Sequence, residues 1–147
     1  MTAQTDDGRT SAQRWADDAR DALNATGLAG FGKFLADDFV QESRRSAPFE
    51  FNRTHVLGSL QTMTQMGLTV DGTDIATAGD RCLLTLRTYR HRTGSVELLA
   101  VSVWDDQGHL VRFVEFDADA LDDALATLAD VSGEPVVRCT DDGERSQ

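Results

Sequence analysis

Several things are scarce in this chain, and each scarcity closes off a class of protein. Two cysteines in 147 residues cannot build a disulfide framework. Cys82 falls in a strand-like run and Cys139 in a polar tail, so both are expected to stay reduced. His55, His91 and His109 are scattered, and no His or Cys pair has zinc spacing, so no metal site is expected. No apolar run approaches the ~18 residues of a membrane span, and the opening MTAQTDDGRTSAQRW lacks the apolar centre of a signal peptide. A cytoplasmic protein without membrane partners is the expectation. No G-x-G-x-x-G follows a strand, and neither a phosphate loop nor a G-x-S-x-G elbow is present. Chemistry, if any, would use no cofactor. Positive charge is also short: Lys33 is the sole lysine and the formal net charge is −11. Such a surface repels phosphate backbones, which excludes nucleic acid as an expected partner.

What is present fits one globular domain. Hydrophobic residues make up 40% and charged residues 27%, and a chain of this length buries roughly 70% of its extended surface. Residues 1–10 read as a flexible N-terminus, 11–131 as the domain and 132–147 as a polar tail. From Ser11, a candidate cap, Trp15, Ala19, Ala22 and Leu23 share a helical face up to the Thr26-Gly27 break. Leu28, Phe31, Phe34 and Leu35 predict a short second helix ending near Asp37-Asp38. FVQESRR reads as a strand, with Phe39, Gln41 and Ser43 on one side. SAPFEFN reads as a loop. Asn52 or Thr54 starts a third helix carrying Val56, Leu60 and Met63, with Gly67 as its C-terminal stop.

The period then changes from helical to two. LTVDGTDIATA, RCLLTLRTYRH, SVELLAVSVW and HLVRFVEF are four strand-like runs separated by short turns, hence antiparallel neighbours. Asp117 or Asp119 is expected to open a last helix lined by Leu121, Leu125 and Leu128, and PVVR offers a short edge strand. Helices gathered on one side of a mostly antiparallel sheet make an α+β domain. A curved sheet wrapped round a helix leaves a hollow suited to a small molecule.

Three segments, FLADDFVQESRR, THVLGSLQTMTQMG and VWDDQGHLVRFVEFDADALDDALATL, resemble the nuclear transport factor 2-like superfamily and within it the SnoaL-like branch, over roughly Ser11 to Asp130. The resemblance implies a cone-shaped α+β barrel with one apolar pocket, and commonly a homodimer formed through the sheet. It also implies relatives among polyketide aldol cyclases, ketosteroid isomerases and limonene-type epoxide hydrolases. In the cyclases and epoxide hydrolases a carboxylate on the last strand does acid–base work, and Glu115 stands at about that place. Two departures are visible. Arg87-Thr88-Tyr89 stands where the epoxide hydrolases have Arg-x-Asp, and Trp15 where the steroid isomerases have a tyrosine.

Alternation puts Glu115 on the face of Val111 and Phe113. If that face looks into the cone, desolvation raises its pKa and makes it a proton shuttle; if it looks outward, Glu115 is a salt-bridge or dimer residue. Glu97 interrupts the apolar row Leu99, Val101 and Val103, and is expected to tune or relay protons if it shares the Glu115 side. Arg87 and Tyr89 share a face and are candidates for holding negative charge on oxygen, or for a structural pair with Glu97 or Glu115. Trp15, Phe39, Phe113, Leu99 and Val101 are candidate pocket wall, with core packing as the plainer role for the aromatics. Two functional readings follow. One is a cofactor-independent isomerase or cyclase acting on a small, mainly apolar oxygenated molecule, with epoxide opening as the nearest variant. The other is a non-catalytic binding or dimerisation domain.

Overall fold

The computed structural model describes residues 9–45 and 49–139. Of the expected flexible start (1–10) residues 1–8 lie outside it, as do residues 140–147 at the end of the tail. The first helix, α1 (Ser11–Thr26), is capped by Thr10 and not by Ser11. The reason is reciprocity: Gln13 N–H donates to Thr10 Oγ1 at 3.2 Å while Thr10 N–H donates to Gln13 Oε1 at 2.8 Å. Gly27 ends the helix as expected. The second helix is only one turn, α2 (Leu28–Phe31), followed by a 3-10 turn (Gly32–Phe34).

The strand β1 (Leu35–Ser43) then begins four residues earlier than FVQESRR suggested. Leu35 is drawn into the sheet by pairing with Leu110, and Asp37 and Asp38 are exposed strand residues in an irregular stretch. SAPFEFN is not all loop. β2 (Phe49–Asn52) pairs with β1 through Gln41 and Phe51, while residues 46–48 lie outside the described chain. Asn52 caps α3 (Arg53–Gln65) in a box with His55.

Four long strands follow: β3 (Thr69–Ala78), β4 (Cys82–His91), β5 (Gly94–Trp104) and β6 (Leu110–Asp117). The final helix, α4 (Leu121–Ser132), starts at Ala120 without a side-chain cap. Neither expected aspartate serves there, and Asp117 is instead engaged by Arg45 at 3.2 Å. Asp122 and Asp123 in the first turn still complement the helix dipole. PVVR forms β7 (Val136–Arg138) on the edge of β3.

The seven strands form one sheet in the order β2-β1-β6-β5-β4-β3-β7. Every pairing is antiparallel except that of β1 with β6. Two hydrophobic clusters lie on opposite faces. On the inner face α1 and α3 bring Ala12, Ala16, Ala19, Leu23 and Val56 toward Leu83, Leu98, Trp104, Leu110 and Phe113. On the outer face α4 brings Ala124 and Leu128 onto Leu84, Leu99, Val101, Val114 and Phe116. At the β5–β6 turn Gly108 has φ 82° and lies against Trp15, so that a Cβ there would come within 2.9 Å of Trp15 Nε1. Among the described residues no helix is long and apolar enough to cross a membrane.

Candidate functional site

A cavity of about 280 Å³ opens between the inner face of the sheet and the helices α1 and α3. It exists because α1 presents alanines there: Ala16 and Ala19 border the hollow where larger side chains would fill it. Its inner wall is apolar, with Leu35, Phe39, Leu98, Trp104, Leu110 and Phe113. The polar atoms of Trp104 and Ser102 in that wall are satisfied internally. Trp104 Nε1–H donates to Ser102 Oγ at 3.1 Å, and Ser102 Oγ–H donates to the Leu83 carbonyl at 3.4 Å. Phe49 and Val96, 37% and 42% exposed, border the cavity where it meets solvent. Phe49 stacks near Phe51, ring centroids 4.4 Å apart, so β2 supplies an aromatic rim.

Glu115 lies in this wall and is 6% exposed. It is the one acid among the described residues bordering the cavity. Burial pushes its carboxyl pKa up, opposed by a hydrogen bond from the Gln41 amide and by the charges of Arg45 and Arg87. Desolvation wins, so the neutral acid is favoured further toward neutrality than for an exposed glutamate. Arg87 and Tyr89, on β4, also border the cavity. Burial raises the Tyr89 phenol, Arg87 lowers it through charge and a hydrogen bond, and Glu115 raises it. The phenol therefore remains a proton donor. The Arg87 guanidinium carbon stands 5.3 Å from the Phe113 ring centroid and 5.9 Å from that of Tyr89.

The structure brings together Glu115, Arg87, Tyr89, Phe39 and Phe113 from the sequence candidates. It separates Glu97, Leu99 and Val101 from them. Glu97 is exposed and faces outward, and Leu99 and Val101 pack beneath α4 instead of lining the pocket. The cause is one residue of register. Near the turn Trp104 pairs with Leu110, a pairing that carried on without interruption would set Leu99 opposite Glu115 and put Glu97 on the same face. An irregularity between Val103 and Trp104 shifts the ladder, so that Ala100 pairs with Glu115 and Val103 with Arg112. Leu110, and not Val111, consequently joins Phe113 and Glu115 at the cavity. Trp15 does not line the hollow; it backs Trp104 from behind, centroids 6.1 Å apart.

One contributor was not singled out from the sequence, and Arg45, read there as a loop anchor, borders the site as well. Gln41, two residues from Phe39 on the same strand face, supports Glu115, and a polar residue in that alternating row was the available signal. Arg45 borders the cavity while paired with Asp117. Its neighbour Arg44 turns away, pairing with Glu42 and donating to Thr127 Oγ1 of α4 at 3.1 Å. His55 is exposed and serves the α3 cap.

Solved structures similar to this arrangement share the fold at low identity. One is a Mycobacterium tuberculosis protein in complex with estradiol-17beta-hemisuccinate, with 13% identity, TM-score 0.61, and coverage of 73% of this chain and 93% of that one. Another is the delta 5-3-ketosteroid isomerase from Mycobacterium sp., with 12% identity, TM-score 0.59, and coverage of 72% and 92%. A putative polyketide cyclase from Xanthomonas campestris pv. campestris has 17% identity, TM-score 0.54, and coverage of 80% and 96%. No family model and no curated protein sequence is similar enough to match. The α+β architecture, the seven-stranded mixed sheet and these neighbours together identify the fold as that of the nuclear transport factor 2-like proteins.

Proposed function

We propose that the cavity is the active site of a cofactor-independent isomerase or cyclase acting on a small, mainly apolar oxygenated molecule. The observation that carries this reading is Glu115, a lone buried acid in an apolar hollow with Arg87 and Tyr89 bordering the same space. In its ionised form Glu115 removes a proton from the carbon beside a carbonyl. The C–H electron pair becomes a C=C bond, and the carbonyl π pair moves onto oxygen, where the Tyr89 O–H and Arg87 N–H donate hydrogen bonds. The acid so formed returns its proton to another carbon, giving the isomer; in a cyclase the enolate carbon bonds to a second carbonyl carbon, and the oxygen that receives that carbonyl's π pair takes the proton from Glu115. Epoxide opening has less support, because it needs a base and a separate acid and Glu97 lies on the other face. A homodimer through the sheet, which the resemblance implies, would have to use outer-face area that α4 leaves uncovered.

The test is deuterium exchange at carbons next to the carbonyl in a panel of cyclic ketones, followed by NMR. The protein is expected to accelerate exchange for ketones that bind, and Glu115→Gln to lose about 10²–10⁴-fold of that rate with its fold unchanged by circular dichroism. Bound ketones that exchange no faster than in buffer, or a fully active Glu115→Gln, would leave the non-catalytic binding domain as the correct reading.

A further inference from the structure

Arg87 carries a charge that no ion pair among the described residues answers. Other arginines of the sheet and of α1 meet acids: Arg44 and Arg112 share Glu42, Arg45 takes Asp117, and Arg20 takes Asp17. Arg53, whose Nε is also orphaned, still reaches the Gly32 carbonyl at 3.0 Å. Arg87 instead has two ring faces and the Tyr89 oxygen for company, and its Nε–H is buried without an acceptor. Glu115 closes no ion pair with it, and the Arg87 charge is the smallest of the influences acting on that carboxyl. A guanidinium stays charged at any working pH and presents a planar fork of donors matched to a carboxylate. An unanswered donor of that kind in an apolar cavity is costly to bury, and an incoming anion removes the cost.

We propose that Arg87 is an anchoring subsite for a carboxylate, and that the ligands of this cavity are apolar carboxylic acids in preference to neutral molecules. The apolar body lies against Leu35, Trp104 and Leu110, and the carboxylate takes the Arg87 fork beside the Tyr89 hydroxyl. This rests on the reading of the cavity as an active site and deepens it by naming the substrate class, a 2-oxo acid whose carboxylate and adjacent keto oxygen share the Arg87 and Tyr89 donors while its carbon skeleton is presented to Glu115.

Decanoate and decanol, equal in chain length and differing in charge, are the probes, titrated calorimetrically into the full chain. Decanoate is expected to bind about 10- to 100-fold more tightly than decanol. Arg87→Gln is expected to abolish that preference by bringing decanoate affinity down to that of decanol. Arg87→Lys recovers part of it, because the charge returns without the fork. Equal affinity for the two probes in the unaltered protein, failure of decanoate to bind, or an Arg87→Gln variant that keeps the preference would overturn the proposal. The first two comparisons need no variant to fold. Glu115→Gln separates this proposal from the acid–base reading: it should lose ketone exchange and keep the decanoate preference. Exchange that persists in a protein with no such preference sinks the anchor alone.

Discussion

On the outer face of the sheet Leu84, Leu99, Val101 and Val114 are sealed from solvent beneath α4, whereas on the inner face neighbouring residues of the same strands border an open hollow. Glu115 and Val114 are adjacent in sequence and end in these two different environments. The outer side is closed by leucine and valine side chains with almost no exposure; the inner side meets the alanines of α1 and is left unfilled. Stability is thus concentrated on one side and ionisable chemistry on the other, and neither needs to compromise for its neighbour.

The strongest way to break this comparison is to damage the outer face alone. Leu99→Ala is expected to cost about 2–5 kcal/mol of unfolding free energy by chemical denaturation, since Leu99 is 2% exposed. Ligand affinity in the inner cavity should be unchanged in the fraction that remains folded. A cost under about 1 kcal/mol, with binding lost, would mean that the division between the faces is wrong. The weakest effect is expected at Glu97. Glu97→Gln should shift stability by no more than about 0.5 kcal/mol and leave ketone exchange at the unaltered rate. A Glu97→Gln protein as impaired as Glu115→Gln would show that the two carboxylates cooperate after all.

Much of the fold was legible because its signals are local. The change from a helical period to a period of two at Leu68, the Gly27 and Gly67 stops and the Asn52 cap are each decided by a few adjacent residues. Features set by distant partners were harder to read. β1 starts at Leu35 because Leu110 pairs with it, and β2 exists because Gln41 and its neighbours offer an edge. The site shows the same limit. Arg87 and Tyr89, on one strand, could be placed together by alternation, and so could Phe113 with Glu115. Relating Glu97 to Glu115 required counting across a turn, and a single bulged residue reversed the answer. Gln41 reaches Glu115 through the parallel pairing of β1 with β6, strands about 70 residues apart in the chain, which no short-range pattern announces.

All of the chemistry depends on Glu115 being dry. Burial raises its folded-state pKa above that of the unfolded chain, so its contribution to stability is complete below the unfolded value and is lost as pH rises through the folded one. A side-chain NMR titration of isotope-labelled protein, with the Glu115 carboxyl signal assigned by its disappearance in Glu115→Gln, reads that folded-state value directly. The expected result is a midpoint displaced upward from the ordinary glutamate range, and displaced further in Arg87→Gln, where a neighbouring positive charge is gone. A midpoint at or below the range of an exposed glutamate would contradict the account, because a carboxylate that ionises so readily is not held in an apolar hollow.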